Sequence, residues 1–171
     1  MTRKLAIVTL GAVLLLSGCS TKTAQPPTAG GETTPAQTTA ASPTPQAGLG
    51  NTVQVSLGET DSQHMVIHIS QAGAPSGSVT FIAKNDGTRK HEFVVLKTDT
   101  AAGNFPIVSF EGESDRIDEE AAGVENVGET GDMEPGATQT LTITLEPGHY
   151  ALVCNLKGHY RMGMFADFQV G

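Results

Sequence analysis

From residue 51 onward segment after segment places apolar side chains on every second position, and this alternation restricts those segments to strands that bury one face. Val53, Val55 and Leu57 alternate with polar neighbours, and Met65, Ile67 and Ile69 repeat the pattern. Val79, Phe81 and Ala83 lead into the turn signal Asn85-Asp86-Gly87, after which Phe93 and Val95 resume it. Leu141, Ile143 and Leu145 alternate with Thr140, Thr142 and Thr144. Pro147-Gly148 makes a further turn, Tyr150 to Cys154 a further strand, and Ala166, Phe168 and Val170 the last one. A helix would instead place its apolar residues three and four apart. The 20 Gly and 9 Pro residues also suit a chain of many turns. The fold class expected is all-β, an antiparallel Greek-key β-sandwich of about seven to eight strands with a short helix or loop insertion.

The insertion is the stretch from Ala101 to Gly136, which carries ten acidic residues and one base, Arg116. It is too long for a plain hairpin turn. Ser114 to Ala122 is expected to form a short helix capped by Ser114 or Asp115, and Val124 to Val127 a short strand. Residues 51–171 together hold seven Lys and Arg against 17 Asp and Glu. That balance excludes a nucleic acid partner, whose phosphates require a basic surface.

The residues before 51 have another character. Arg3 and Lys4 precede a 12-residue apolar run, Leu5 to Leu16, which stops at Ser17-Gly18-Cys19. Such a run spans about 18 Å as a helix, short of the roughly 30 Å hydrocarbon core, so residues 1–18 read as a signal peptide. Leu16-Ser17-Gly18-Cys19 resembles the lipobox of bacterial lipoproteins, which implies that Cys19 is lipidated. Ser20 to Gly50 is built of Thr, Ala, Pro, Gln and Gly, with only Lys22 and Glu32 charged, and cannot bury enough surface to fold. Residues 19–50 are therefore expected to be a lipidated, disordered tether, with a reach of roughly 30 Å as a coil and about 95 Å if fully extended. Residues 51–171 form the working domain.

Two cysteines are too few for a disulfide framework, and Cys19 and Cys154 stand in different parts of the chain. Around Cys154 the spacing CxxxxHxxxxM brings Cys154, His159 and Met164 into one loop. Thiolate, thioether and imidazole together favour copper, and a copper site of one Cys and two His with a weak axial Met requires a second histidine. His91 is the best placed, because it opens the strand His91-Glu92-Phe93-Val94-Val95 directly after the turn. His149 lies five residues before Cys154 on one strand and points to the opposite face. His64 and His68 are about 13 Å apart along a strand, too far to share one ion. These three are expected to be solvated. Met162 competes with Met164 for the axial place, and the Gly163-Met164-Phe165 context favours Met164.

With these residues in place, residues 51–171 resemble a cupredoxin, the small type I (blue) copper fold of plastocyanin, azurin and rusticyanin. The strand Gly148-His149-Tyr150 to Cys154 is similar to that family's Gly-x-Tyr strand, and the loop spacing is similar to rusticyanin-like members. The resemblance implies one copper ion with His91 and His159 equatorial, Cys154 as the thiolate and Met164 axial. One position departs from it: azurin and plastocyanin carry Asn directly after the first His, where it ties the two ligand loops together, and here that residue is Glu92.

Copper in such a site would reorganise little on reduction, so a one-electron carrier is expected; the lipobox resemblance implies that it is anchored through Cys19 at the outer face of a bacterial membrane, and a monomer is expected. Its partners are then redox proteins such as a cytochrome or a membrane oxidase or reductase. Leu156, Tyr160 and Phe165 are expected to form an apolar rim near His159, and the acidic residues from Glu111 to Glu134 a face that steers a basic partner. An enzyme is not expected, since five His in all cannot furnish the additional copper sites that substrate chemistry requires. The alternative function is Cu(I) binding, storage or delivery without a redox role.

Overall fold

The computed structural model describes residues 50–110 and 113–171, so the expected signal peptide, Cys19 and all but the end of the tether lie outside the described residues. Among the described residues eleven strands follow one another: β1 (Thr52–Glu59), β2 (Met65–Ile69), β3 (Gly73–Ala74), β4 (Gly77–Asn85), β5 (Val94–Thr98), β6 (Ile107–Phe110), β7 (Glu113–Ile117), β8 (Val124–Glu129), β9 (Thr138–Leu145), β10 (Gly148–Val153) and β11 (Phe165–Val170). One sheet has the order β2-β1-β4-β9, the other β3-β11-β10-β5-β8, and β6 pairs with β7 as a separate hairpin.

The sandwich is mixed rather than wholly antiparallel, since β1 runs parallel to β4 and β11 parallel to β3. The chain leaves the first sheet after β2, passes through β3 in the second, and re-enters beside β1 in the same direction. The strands beyond those expected are β3, β6 and β7.

Alternation decides which side chains fill the space between the sheets. Val53, Val55 and Leu57 of β1, Met65 and Ile67 of β2, and Val79, Phe81 and Ala83 of β4 meet Val95, Tyr150, Leu152, Phe168 and Val170 of the second sheet. Phe81 packs its ring against Phe93 and Phe168 at centroid distances of 5.3 and 5.4 Å. The second sheet departs from the one-sided pattern. In β5 and β10 the runs Val94-Val95-Leu96 and Ala151-Leu152-Val153 are buried throughout, the mark of a strand covered on both faces.

The cover is the insertion. Ala102, Phe105 and Ile117 close over Val94, Leu96, Ala151 and Val153 and form a second core with Tyr160. The helix expected over Ser114–Ala122 is absent: β7 occupies Glu113–Ile117, and a turn leads from it to β8. Ile117 is the only large apolar residue there, too little for a helical stripe, and pairing Ile107 with Ile117 buries it directly. The short strand expected near Val124 is β8.

Tyr160 pins this cover to the sandwich. Its hydroxyl donates to Ala102 O at 2.8 Å and accepts from Phe105 N–H at 2.9 Å. Tyr160→Phe should leave both backbone groups unpaired and lower stability by about 2 kcal/mol, a drop of several degrees in thermal midpoint. An unchanged midpoint would show that the cover is held by its apolar contacts alone.

Candidate metal centre

Cys154 follows β10 directly, and the loop after it closes on itself through main-chain bonds. Cys154 N–H donates to Met164 O at 3.1 Å, Met164 N–H to His159 O at 3.2 Å, and His159 N–H to Leu156 O at 2.9 Å. Between His159 and Met164 runs a single 3₁₀ turn, Tyr160–Met162, ended by Gly163 in the left-handed region at φ 97°. Glycine adopts that conformation without strain and lets the chain reverse into β11.

His91 arrives from the other side. The strand expected to open at His91 begins only at Val94; His91 is held instead by an isolated bridge, donating its N–H to Met133 O at 3.1 Å and accepting from Met133 N–H at 2.7 Å. Together these elements bring His91, Cys154 and His159 into one buried cluster whose donor atoms all lie within 4.8 Å of one another. The Nδ1 atoms of His91 and His159 are 3.2 Å apart, and Cys154 Sγ is 3.3 Å from His159 Nδ1. His91 and Cys154 are sealed from solvent, while His159 is 9% exposed.

The protonation chemistry of the cluster suits a cation. Burial pushes the Cys154 thiol up to about 12. Burial, then the neighbouring His91 and Arg89, pushes His159 down to about 4, and burial likewise lowers His91. Both imidazoles are therefore neutral at pH 7, with two ring nitrogens facing each other across a gap that admits one proton at most. A metal ion among the three donors would satisfy them all, and one thiolate with two imidazoles is a set suited to copper.

Met164 is fully buried in the main core, as Cys154 is, whereas Met162 is only partly buried and packs at the edge of that core. His64 and His68 are exposed and outside the cluster. His149 is also outside it, but is not simply solvated: its ring meets Thr98 O at 2.7 Å and Asp167 Oδ1 at 2.9 Å. Of the expected apolar rim, Leu156 is partly exposed, while Tyr160 is buried in the second core with Phe165 against it at a centroid distance of 5.2 Å.

Glu92, the departure from the family pattern, preserves the link between the ligand loops by other means. Its backbone N–H donates to Cys154 Sγ at 3.4 Å. Its carboxyl is pushed up to about 7 by burial and by Glu119, with the Asn155 amide opposing the shift. Asn155 fastens the loop to the insertion. Its side chain accepts from Ile117 N–H at 2.8 Å and donates to Ile117 O at 3.1 Å and Glu119 Oε1 at 2.7 Å, while Arg116 donates to Asn155 O at 2.8 Å. Gly158 N–H donates to Asp115 O at 2.9 Å, and Arg161 pairs with the Asp115 carboxylate. Sequence reasoning missed Asn155, Met133 and Glu59, whose carboxylate stands 3.2 Å from His91 Nε2. Only Asn155 carried a signal, its position next to the cysteine.

The sulfocyanin (SoxE) domain matches residues 47–171. The chain belongs to the sulfocyanin family. Among solved structures, reduced auracyanin from the photosynthetic bacterium Roseiflexus castenholzii aligns at a TM-score of 0.51 and 22% identity, over 72% of this chain and 99% of that one. Auracyanin A from Chloroflexus aurantiacus, a blue copper protein, gives 0.46 at 19% identity, over 70% of this chain and 99% of its own. Rusticyanin from Thiobacillus ferrooxidans gives 0.44 at 23% identity, over 72% and 79%. No curated protein matches the sequence. Sulfocyanins are cupredoxins, electron-transfer proteins that bind type I copper, so both the expected family and the expected cofactor hold for this sulfocyanin.

Loading with Cu(II) should displace about one proton between pH 7 and 9, because both imidazoles are already neutral and the thiol is not ionised. Apparent Cu(II) affinity then rises about tenfold per pH unit in that window. Proton release is measured by titrating copper into weakly buffered protein. No release at pH 8 would mean that Cys154 binds no metal or is already a thiolate.

Proposed function

We propose that this sulfocyanin is a one-electron carrier at the outer face of a bacterial membrane, with copper held by His91, Cys154, His159 and Met164. The observation that carries the reading is the buried cluster of two imidazoles and one thiol whose donor atoms all lie within 4.8 Å. Copper bound there supplies a one-electron couple, Cu(II)/Cu(I). The protein supplies a fixed frame: three ligands belong to one self-bonded loop, and the fourth is bridged to Met133. A frame that changes little between the two oxidation states favours fast transfer.

His159 is the natural exit for the electron, being the one member of the cluster with any exposure, and partly exposed Leu156 and Met162 give a partner an apolar place to dock. The insertion contributes Asp118, Glu119, Glu120, Glu125 and Glu129, whose charge favours a basic partner such as a cytochrome, or a membrane oxidase or reductase. In this reading residues 1–18 direct export, Cys19 carries the lipid, and residues 19–50 let a monomeric domain reach its partner while remaining anchored. The domain performs no catalysis of its own.

The deciding measurement is the visible spectrum of the Cu(II)-loaded chain before and after ascorbate, which should show an intense band near roughly 600 nm that reduction abolishes reversibly. Cys154→Ser should abolish the band and weaken copper binding while the sandwich stays folded. Met164→Leu should keep the band and shift the reduction potential, whereas an unshifted potential would transfer the axial role to Met162. Tight Cu(I) binding with no band in the unaltered chain would replace electron transfer with copper storage or delivery.

A further inference from the structure

A group that the ligand set does not include stands behind His91. His91 Nε2 is buried, and no straight hydrogen bond reaches it. The acceptor within reach is Glu59 Oε1, 3.2 Å away, on a side chain only 12% exposed at the end of β1. That carboxylate is not free to wander. Its Oε2 accepts from Thr88 N–H at 2.9 Å and from the Thr88 hydroxyl at 3.4 Å, and its Oε1 accepts from Arg89 N–H at 3.1 Å.

The turn that grips Glu59 is itself built from the core. Asn85 is fully buried, donates to Arg89 O and Met133 O at 2.8 Å each, and accepts from Gly87 N–H at 2.9 Å. Gly87 leaves room for the contact. A Cβ at that position would lie 2.6 Å from Glu59 Oε2 and 2.9 Å from His91 Nε2, so any side chain there would push the carboxylate or the imidazole away. A buried imidazole nitrogen, an anchored carboxylate aimed at it and a gap kept clear by glycine converge on one point.

We propose that Glu59 is a positioning residue of the metal centre, holding the His91 proton on Nε2 so that Nδ1 faces the copper, and biasing the site toward Cu(II). The inference rests on the copper reading above. A carboxylate against the outer nitrogen of a ligating histidine fixes the ring's tautomer and orientation and makes it a more basic ligand. Its negative charge also favours the more positive of the two copper states.

The test compares the full chain with Glu59→Gln, Glu59→Ala and Gly87→Ala, each loaded with Cu(II), by visible spectrum, reduction potential and Cu(II) affinity. Glu59→Gln keeps the shape and loses the charge. It should retain the blue band and lower the Cu(II) to Cu(I) affinity ratio about tenfold, a positive shift of about 59 mV for a one-electron couple. Glu59→Ala should cost about 10–100-fold in Cu(II) affinity. Gly87→Ala should shift the potential in the same direction although the carboxylate remains in the chain. A blue band with an unmoved potential in both Glu59→Gln and Gly87→Ala overturns the role of Glu59 while leaving the copper site intact. A missing band in the unaltered chain overturns the type I, electron-transfer reading itself, and Glu59 with it. Should Glu59→Ala fail to fold, the charge-only variant still decides, because a merely structural contact would not move the potential.

Discussion

Two neutral imidazole nitrogens held 3.2 Å apart beside a buried thiol are the constraint on which the rest of this structure depends. Polar atoms crowded together away from water are expensive, and they persist only where the surroundings leave them no alternative. Here every approach is occupied. Met133 fixes the main chain of His91, the Glu92 amide reaches the sulfur, and the loop from Cys154 to Met164 is cross-bonded to itself. The sandwich fixes where these pieces meet, since β10 delivers the cysteine and β5 follows close behind His91 in the same sheet.

The acidic insertion belongs to this arrangement and is more than surface decoration. It buries the outer face of β5 and β10, and through Asp115, Arg116 and Ile117 it takes hold of the loop at Asn155, Gly158 and Arg161. Asp115 reaches that position with φ at 64°, a left-handed conformation unusual for a residue with a side chain. Part of the negative charge is neutralised locally, as where Lys90 lies 3.1 Å from both Asp132 and Glu134.

Much of this was legible in the sequence because two patterns are local. Alternation placed β1, β2, β4, β9 and β11, and the spacing CxxxxHxxxxM placed Cys154, His159 and Met164 in one loop. What escaped depends on contacts between distant segments. The run Val94-Val95-Leu96 does announce a strand covered on both faces, yet nothing local says that Phe105 and Ile117 supply the cover. Ser114 to Ala122 offered capping residues, and tertiary burial of Ile117 in a hairpin overrode them. Glu59 gave no signal at all, because a polar residue at a strand end is ordinary until His91, 32 positions later, is found 3.2 Å away.

The attachment of β7 to the loop from Cys154 to Met164 also bears on how such loops can be exchanged. A loop whose shape came only from its own length could be grafted from one cupredoxin to another as a cassette. This one takes part of its shape from bonds to residues 39 positions upstream, such as that from Arg116 to Asn155. The transplantable unit is therefore discontinuous, the hairpin together with the loop. A graft of residues 154 to 164 alone would carry Cys154, His159 and Met164 and leave their mould behind.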